Sequence, residues 1–127
     1  MFKEYHHKTK LSYEESIESV KASLMEHKFG TLCTIGLSDK FKDQNLEYEG
    51  RLTILEVCNP KEANKIITIN PKALYILPCK IIVQEFEGTT TIKMITPTSM
   101  FAIFDNPELT EIAQNIENII VEAIEKI

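Results

Sequence analysis

Arg51-Leu52-Thr53-Ile54-Leu55-Glu56-Val57-Cys58-Asn59-Pro60 is the stretch on which the reading of this chain turns. From Leu52 to Val57 the residues are mostly branched or apolar, with no glycine or proline to break an extended run, which is the composition of a strand. Leu52, Ile54, Leu55 and Val57 put apolar side chains on both faces, so residues 51–57 are predicted to form a central, well-covered strand. Asn59-Pro60 then stops it. Asparagine caps a helix with its side-chain oxygen, and proline suits the first helical position because its missing N–H would have no partner there. A strand therefore feeds straight into a helix. The same dipeptide recurs at Asn70-Pro71 and Asn106-Pro107, and each can open a helix or a helical turn.

Upstream, residues 8–11 read as a short first strand. Ser12 with Glu15 three positions later is a capping box, and Ile17, Val20 and Leu24 follow at helical spacing, predicting an amphipathic helix over 13–28 with Gly30 at its exit. Residues 31–37 form a Thr-containing strand, 38–45 a short polar helix anchored by Phe41, and 46–50 a charged loop. Downstream, 80–86 and 89–96 make a hairpin around Glu87-Gly88, where glycine supplies a positive φ. Residues 97–104 form a short apolar helix or turn. The last helix is the clearest element: Leu109, Ile112, Ala113, Ile116, Ile119, Ile120, Ala123, Ile124 and Ile127 make one wide apolar stripe. Two uses fit that stripe, core packing or a dimer seam. No repeat, low-complexity tract or linker interrupts the order β-α-β-α-β-α-β-β-α. It predicts an α+β fold, an antiparallel-rich sheet with helices on one face.

The chain has 127 residues, the size of one domain spanning 1–127. At 43% hydrophobic and 26% charged it has the composition of a folded core, not of a disordered segment. Its net charge is -5 and Arg51 is its one arginine, so nucleic acid is not expected as a partner. The Met1-Phe2-Lys3-Glu4-Tyr5-His6-His7 start has no apolar core of a signal peptide, and no run approaches a membrane span. The expected location is the cytoplasm, with no membrane partner. Three cysteines, an odd number, suit reduced thiols there.

Cys58 is the residue with the most chemical promise. It sits just before a predicted helix N-terminus, where unpaired N–H groups and the helix dipole favour a thiolate and would lower its pKa. A nucleophile, a sulfur carrier or a metal ligand suits that position, and so does a small buried residue closing a strand. Cys58 is accordingly expected to be the most reactive of the three thiols. Asn59 beside it is a candidate binding residue. Cys79 follows Leu77-Pro78 and opens a strand, so its nearness to Cys58 depends on the fold. Cys33 reads as strand packing. His6 and His7, being adjacent, point to opposite faces of a strand and do not chelate one metal together; His27 suits a helix C-terminus. No C-x-x-C, H-E-x-x-H, G-x-S-x-G, phosphate loop or G-x-G-x-x-G is present. No complete catalytic motif, cofactor or metal site is therefore indicated.

Ile54-Leu55-Glu56-Val57-Cys58-Asn59-Pro60-Lys61-Glu62-Ala63, followed by Leu77-Pro78-Cys79-Lys80, resembles the bacterial family called domain of unknown function 302. Lys28-Phe29-Gly30 and the Asn106-Pro107-Glu108-Leu109 helix start match as well, so the likeness spans nearly the whole chain. The resemblance implies a TATA-binding-protein-like fold, often homodimeric, and no established activity. Some relatives carry an Asp-His pair after the second strand, where this chain reads Ser38-Asp39-Lys40-Phe41. Two functions follow as expectations. One is a dimeric ligand-binding or interaction module with a groove between sheet and helices lined partly by Cys58 and Cys79. The other is a thiol-dependent redox, sulfur-handling or metal-handling protein using Cys58.

Overall fold

A computed structural model describes residues 1–127. In chain order they form β1 (Glu4–Thr9), α1 (Tyr13–Glu26), β2 (Gly30–Gly36), α2 (Leu37–Asp43), β3 (Arg51–Cys58), α3 (Pro60–Ile69), β4 (Cys79–Phe86), β5 (Thr89–Ile95), α4 (Pro97–Phe101) and α5 (Pro107–Glu125). Two 3-10 turns, Pro71–Tyr75 and Ala102–Phe104, follow α3 and α4. The boundaries have local causes. The Ser12 hydroxyl accepts the Glu15 amide at 3.1 Å while the Glu15 carboxylate accepts the Ser12 amide at 3.2 Å, so the capping box opens α1. Asn106 Oδ1 accepts the amides of Glu108 and Leu109 at 2.9 and 3.1 Å, and Asn70 Oδ1 accepts that of Lys72 at 3.0 Å. Glu87 and Gly88 both take positive φ, 50° and 81°, between the paired Phe86 and Thr89. That is the two-residue turn whose twist matches a hairpin.

The strands make one five-stranded sheet in the order β1-β5-β4-β3-β2, and every neighbouring pair is antiparallel. One apolar cluster fills the space between one sheet face and the helices. Leu55, Val57, Ile81, Val83, Ile92 and Met94 enter it from the sheet; Val20, Leu24, Ile66, Phe101, Ile116, Ile120 and Ile124 meet them from α1, α3, α4 and α5. Each such side chain contributes about 1.5–3 kcal/mol by leaving water. Leu109, Ala113 and Ala123 are buried too, and Ile112, Ile119 and Ile127 pack against the cluster, so the stripe of the last helix is taken up by the core. Its alternative use as a dimer seam is corrected accordingly.

Two strand expectations also change. The first strand runs over Glu4–Thr9 and not over 8–11, because the Thr9 hydroxyl accepts the Leu11 amide at 3.1 Å as the chain turns into α1. β3 lies next to the sheet edge, while β4 holds the middle. Its apolar residues serve two different surfaces. Thr53, Leu55 and Val57 are buried under helices, whereas Leu52 and Ile54 are half-buried on the opposite face. That face has no helical layer on the core's pattern. Cross-strand register sets Ile35, Ile54, Ile82, Lys93 and His6 in one row across it, one residue from each strand. The next row carries Cys33, Glu56 and Lys80.

Candidate functional site

β3 delivers Cys58 to the mouth of α3, as its sequence requires. Asn59 Oδ1 accepts the backbone amides of Lys61 and Glu62 at 3.1 and 3.3 Å. Asn59 therefore acts as the helix cap, and the amides that would have steadied a Cys58 thiolate are already occupied. β4 starts opposite, with Cys79 paired to Val57. The fold thus brings Cys58, Asn59 and Cys79 to one cleft, walled by Phe29, Ala63, Ile66, Leu77 and Ile116.

That cleft is nearly closed, with about 10 Å³ of room. This is the space of about one water molecule, far below the 300 Å³ or so of a small-molecule site. The groove expected between sheet and helices is filled by its own side chains. Electrostatics agree with the packing. Burial pushes the Cys58 thiol up. Burial also pushes Cys79 up from its ordinary value near 9 to about 11, with the neighbouring Cys58 adding to the shift and Lys80 opposing it. The expected lowering at Cys58 is overturned because desolvation penalises the thiolate and the cap has taken the amide donors. Cys33 departs from its reading as well. A register irregularity between Thr31 and Cys33 inserts Leu32 as an extra residue in an edge strand, and Cys33 lies exposed.

Three features of the surface were not foreseen. The first is an open polar groove of about 830 Å³, walled by α2, the loop after it and the start of β3. Three of its polar wall residues, Ser38, Tyr48 and Arg51, are engaged with the protein itself. Ser38 Oγ accepts the Leu52 amide at 2.9 Å, and Tyr48 Oη accepts from Gln84 Nε2 at 2.8 Å. Arg51 pairs with Glu14 and lies 4.2 Å from the centre of the Tyr13 ring. A hydrogen bond from its own backbone and then the Arg51 guanidinium hold the Glu14 carboxyl below its ordinary value. The second is a cluster at the end of α5. Tyr5 Oη donates to Glu125, and His7 Nδ1 stands 3.5 Å from the same carboxylate. Burial, then the hydrogen bond and charge of Glu125, raise the Tyr5 phenol above its ordinary range. The alternation Tyr5, His7, Thr9 was the available signal, and starting the strand at Lys8 concealed it. The third is the free edge of β2. His6 meets Glu4 at 3.2 Å, and the His27 ring bonds the Ser23 carbonyl at 2.9 Å at the end of α1. No group of three or more His, Cys, Asp and Glu side chains is gathered for a metal ion. No helix is long and apolar enough to cross a membrane.

A fully antiparallel sheet with its helical layer on one side, carrying Cys-Asn-Pro at the end of β3 and Leu-Pro-Cys at the start of β4, defines a small α+β class. Residues 5–127 match the family described as Domain of unknown function DUF302. The chain belongs to that family. Among solved structures, it is similar to the crystal structure of an uncharacterised conserved DUF302 protein from Bacillus stearothermophilus. The two share 34% identity and superpose with a TM-score of 0.93, over 96% of this chain and 95% of that one. No curated protein matches the chain.

Proposed function

We propose that this protein is a homodimeric interaction module that binds through its sheet and not through a reactive thiol at Cys58. One observation carries the reading: Ile35, Ile54 and Ile82 stand side by side on the sheet face away from the core. Contiguous apolar surface outside a core marks a place where another molecule docks. Covering it returns about 25 cal/mol for each Å² removed from water. The surroundings carry both signs of charge. Lys80 pairs with Glu56 at 2.8 Å, and Lys93, His6 and Glu4 lie nearby. A protein surface suits that mixture better than a polyanion, which would meet Glu4 and Glu56 as well as the lysines. Three free cysteines suit a reducing compartment, for which the cytoplasm is the natural choice.

Light scattering at high micromolar concentration tests the assembly, and an anilinonaphthalene sulfonate dye tests the face. The expected results are a dimer, and dye binding to the native protein that is lost in an Ile54→Lys/Ile82→Lys variant of unchanged melting temperature. A monomer at that concentration overturns the assembly. Native protein that ignores the dye, or a variant that binds it equally, overturns the face.

A further inference from the structure

β2 closes one side of the sheet with a bare backbone edge, since β3 is its one neighbour. Its sequence, Gly30-Thr31-Leu32-Cys33-Thr34-Ile35-Gly36, holds no charge and no proline. Three consecutive residues, Leu32, Cys33 and Thr34, are exposed. Leu32 is 62% exposed and Met25 60%. Met25 belongs to the same edge, because its methyl group lies 3.8 Å from where a side chain on Gly30 would begin. Unpaired N–H and C=O groups beside uncharged side chains form a template for another strand.

We propose that the β2 edges of two copies pair antiparallel about a two-fold axis at Cys33, joining two five-stranded sheets into one. The inference rests on the homodimer reading and names its surface. Self-pairing is favoured over a foreign strand by the symmetry of this segment. Cys33 is the midpoint of β2, so a two-fold there sets Gly30 opposite the partner's Gly36. The flanks are charged but balanced: Glu26 and Lys28 are exposed before β2, and Asp39 and Lys40 are exposed after it. Antiparallel pairing brings the first pair of one copy toward the second pair of the other with no net charge on either side, so no net like-charge repulsion opposes the seam. Leu32, set aside by the register irregularity, adds apolar contact next to the axis. The open faces then join: the row Lys80-Glu56-Cys33 meets its own symmetry mate at the axis, and the Ile82-Ile54-Ile35 row of each copy lies one row to either side of it.

The test uses the full chain. Light scattering over a dilution series compares the native protein with Leu32→Lys/Thr34→Lys, which puts two lysines from each copy at the seam. The expected result is a native dimer weakened about 100-fold or more in the variant, the loss that facing like charges produce, with circular dichroism and melting temperature retained at dilution. In parallel, a short bis-maleimide is added to the native dimer, and cross-linked peptides are mapped by mass spectrometry. A Cys33–Cys33 link that fades on dilution supports the seam, and this measurement holds even if the double variant fails to fold. A dimer that survives Leu32→Lys/Thr34→Lys but dissociates with Ile54→Lys/Ile82→Lys packs face to face; it overturns the edge seam and leaves the homodimer reading standing. A dimer without the Cys33 link also overturns the seam. A native monomer removes both.

Discussion

β1 and β2 are both edge strands, each with a single neighbour, yet they meet water differently. β1 carries Glu4, His6 and Lys8 on its outward row, and charged side chains discourage a second strand from docking. It is also tied to the helical layer, by Tyr5 and His7 to Glu125 and by the Thr9 hydroxyl to the Ile127 carbonyl at 3.1 Å. β2 has neither charge nor such ties along its length, and three of its residues in succession are exposed. A charged, tied edge belongs to a sheet that ends there. A neutral, bare edge leaves its N–H and C=O groups open to a further strand.

The largest expected effect comes from making β1 resemble β2. His6→Val/Lys8→Val strips the lysine charge and the polar imidazole from the outward row. With both edges then open to pairing, dimers should link into longer species, and the weight-average mass should climb with concentration. Sedimentation velocity reads this directly. A variant that stays at the native mass would show that charge does not separate the two edges.

Alkaline pH comes next in size and acts on both edges together, because Cys79 lies on the middle strand. Burial raises its folded pKa from near 9 to about 11. The buried site favours the neutral thiol, so its stabilising contribution is complete below pH 9. It is lost as pH rises from 9 to 11, where the unfolded chain ionises and the folded chain does not. Two pKa units correspond to a loss on the order of 2–3 kcal/mol. Urea denaturation across the alkaline range should show that slope, and Cys79→Ala should flatten it. Hydrogen exchange should report β1 and β2 opening in parallel.

The smallest effect is local. Tyr5→Phe removes the hydrogen bond to Glu125 at a partly exposed site, which should cost about 1 kcal/mol. Amides of β1 should then exchange about fivefold faster while those of β2 keep their rates. Equal acceleration at both edges would show that the Glu125 cluster supports the whole sheet and not its own strand.

Most of the fold was legible because its signals are local. A capping box, three Asn-Pro steps and a Glu-Gly hairpin turn each satisfy their own backbone within a few residues, so sequence order alone announces them. Which strands would be edges was not legible, since strand order is decided by contacts far apart in the chain. Cys33 shows the cost. In isolation Leu-Cys-Thr reads as packing, and it becomes surface because β3 is the only neighbour β2 has. Cys58 failed for a different reason. Its place beside a helix N-terminus was read correctly, but two effects of opposite sign compete there, and burial wins once Asn59 has occupied the amides. That Cys58 and Cys79 share one cleft depends on β3 and β4 being neighbours and not on their spacing in the chain, and the cleft has no room for a ligand.

The repeated Asn-Pro steps at the start of α3, the Pro71–Tyr75 turn and α5 bear on how this protein ages. Asparagine decays when the backbone nitrogen of the following residue attacks its side-chain amide, and that attack requires an N–H to lose its proton. Proline has none. The same ring that fits the first helical turn therefore shields Asn59, Asn70 and Asn106 from conversion to aspartate. The remaining asparagines, Asn45, Asn64, Asn115 and Asn118, are followed by Leu46, Lys65, Ile116 and Ile119, and none by the unhindered glycine that makes the attack fast. Slow chemical damage should accumulate first at those four positions, leaving all three Asn-Pro caps intact.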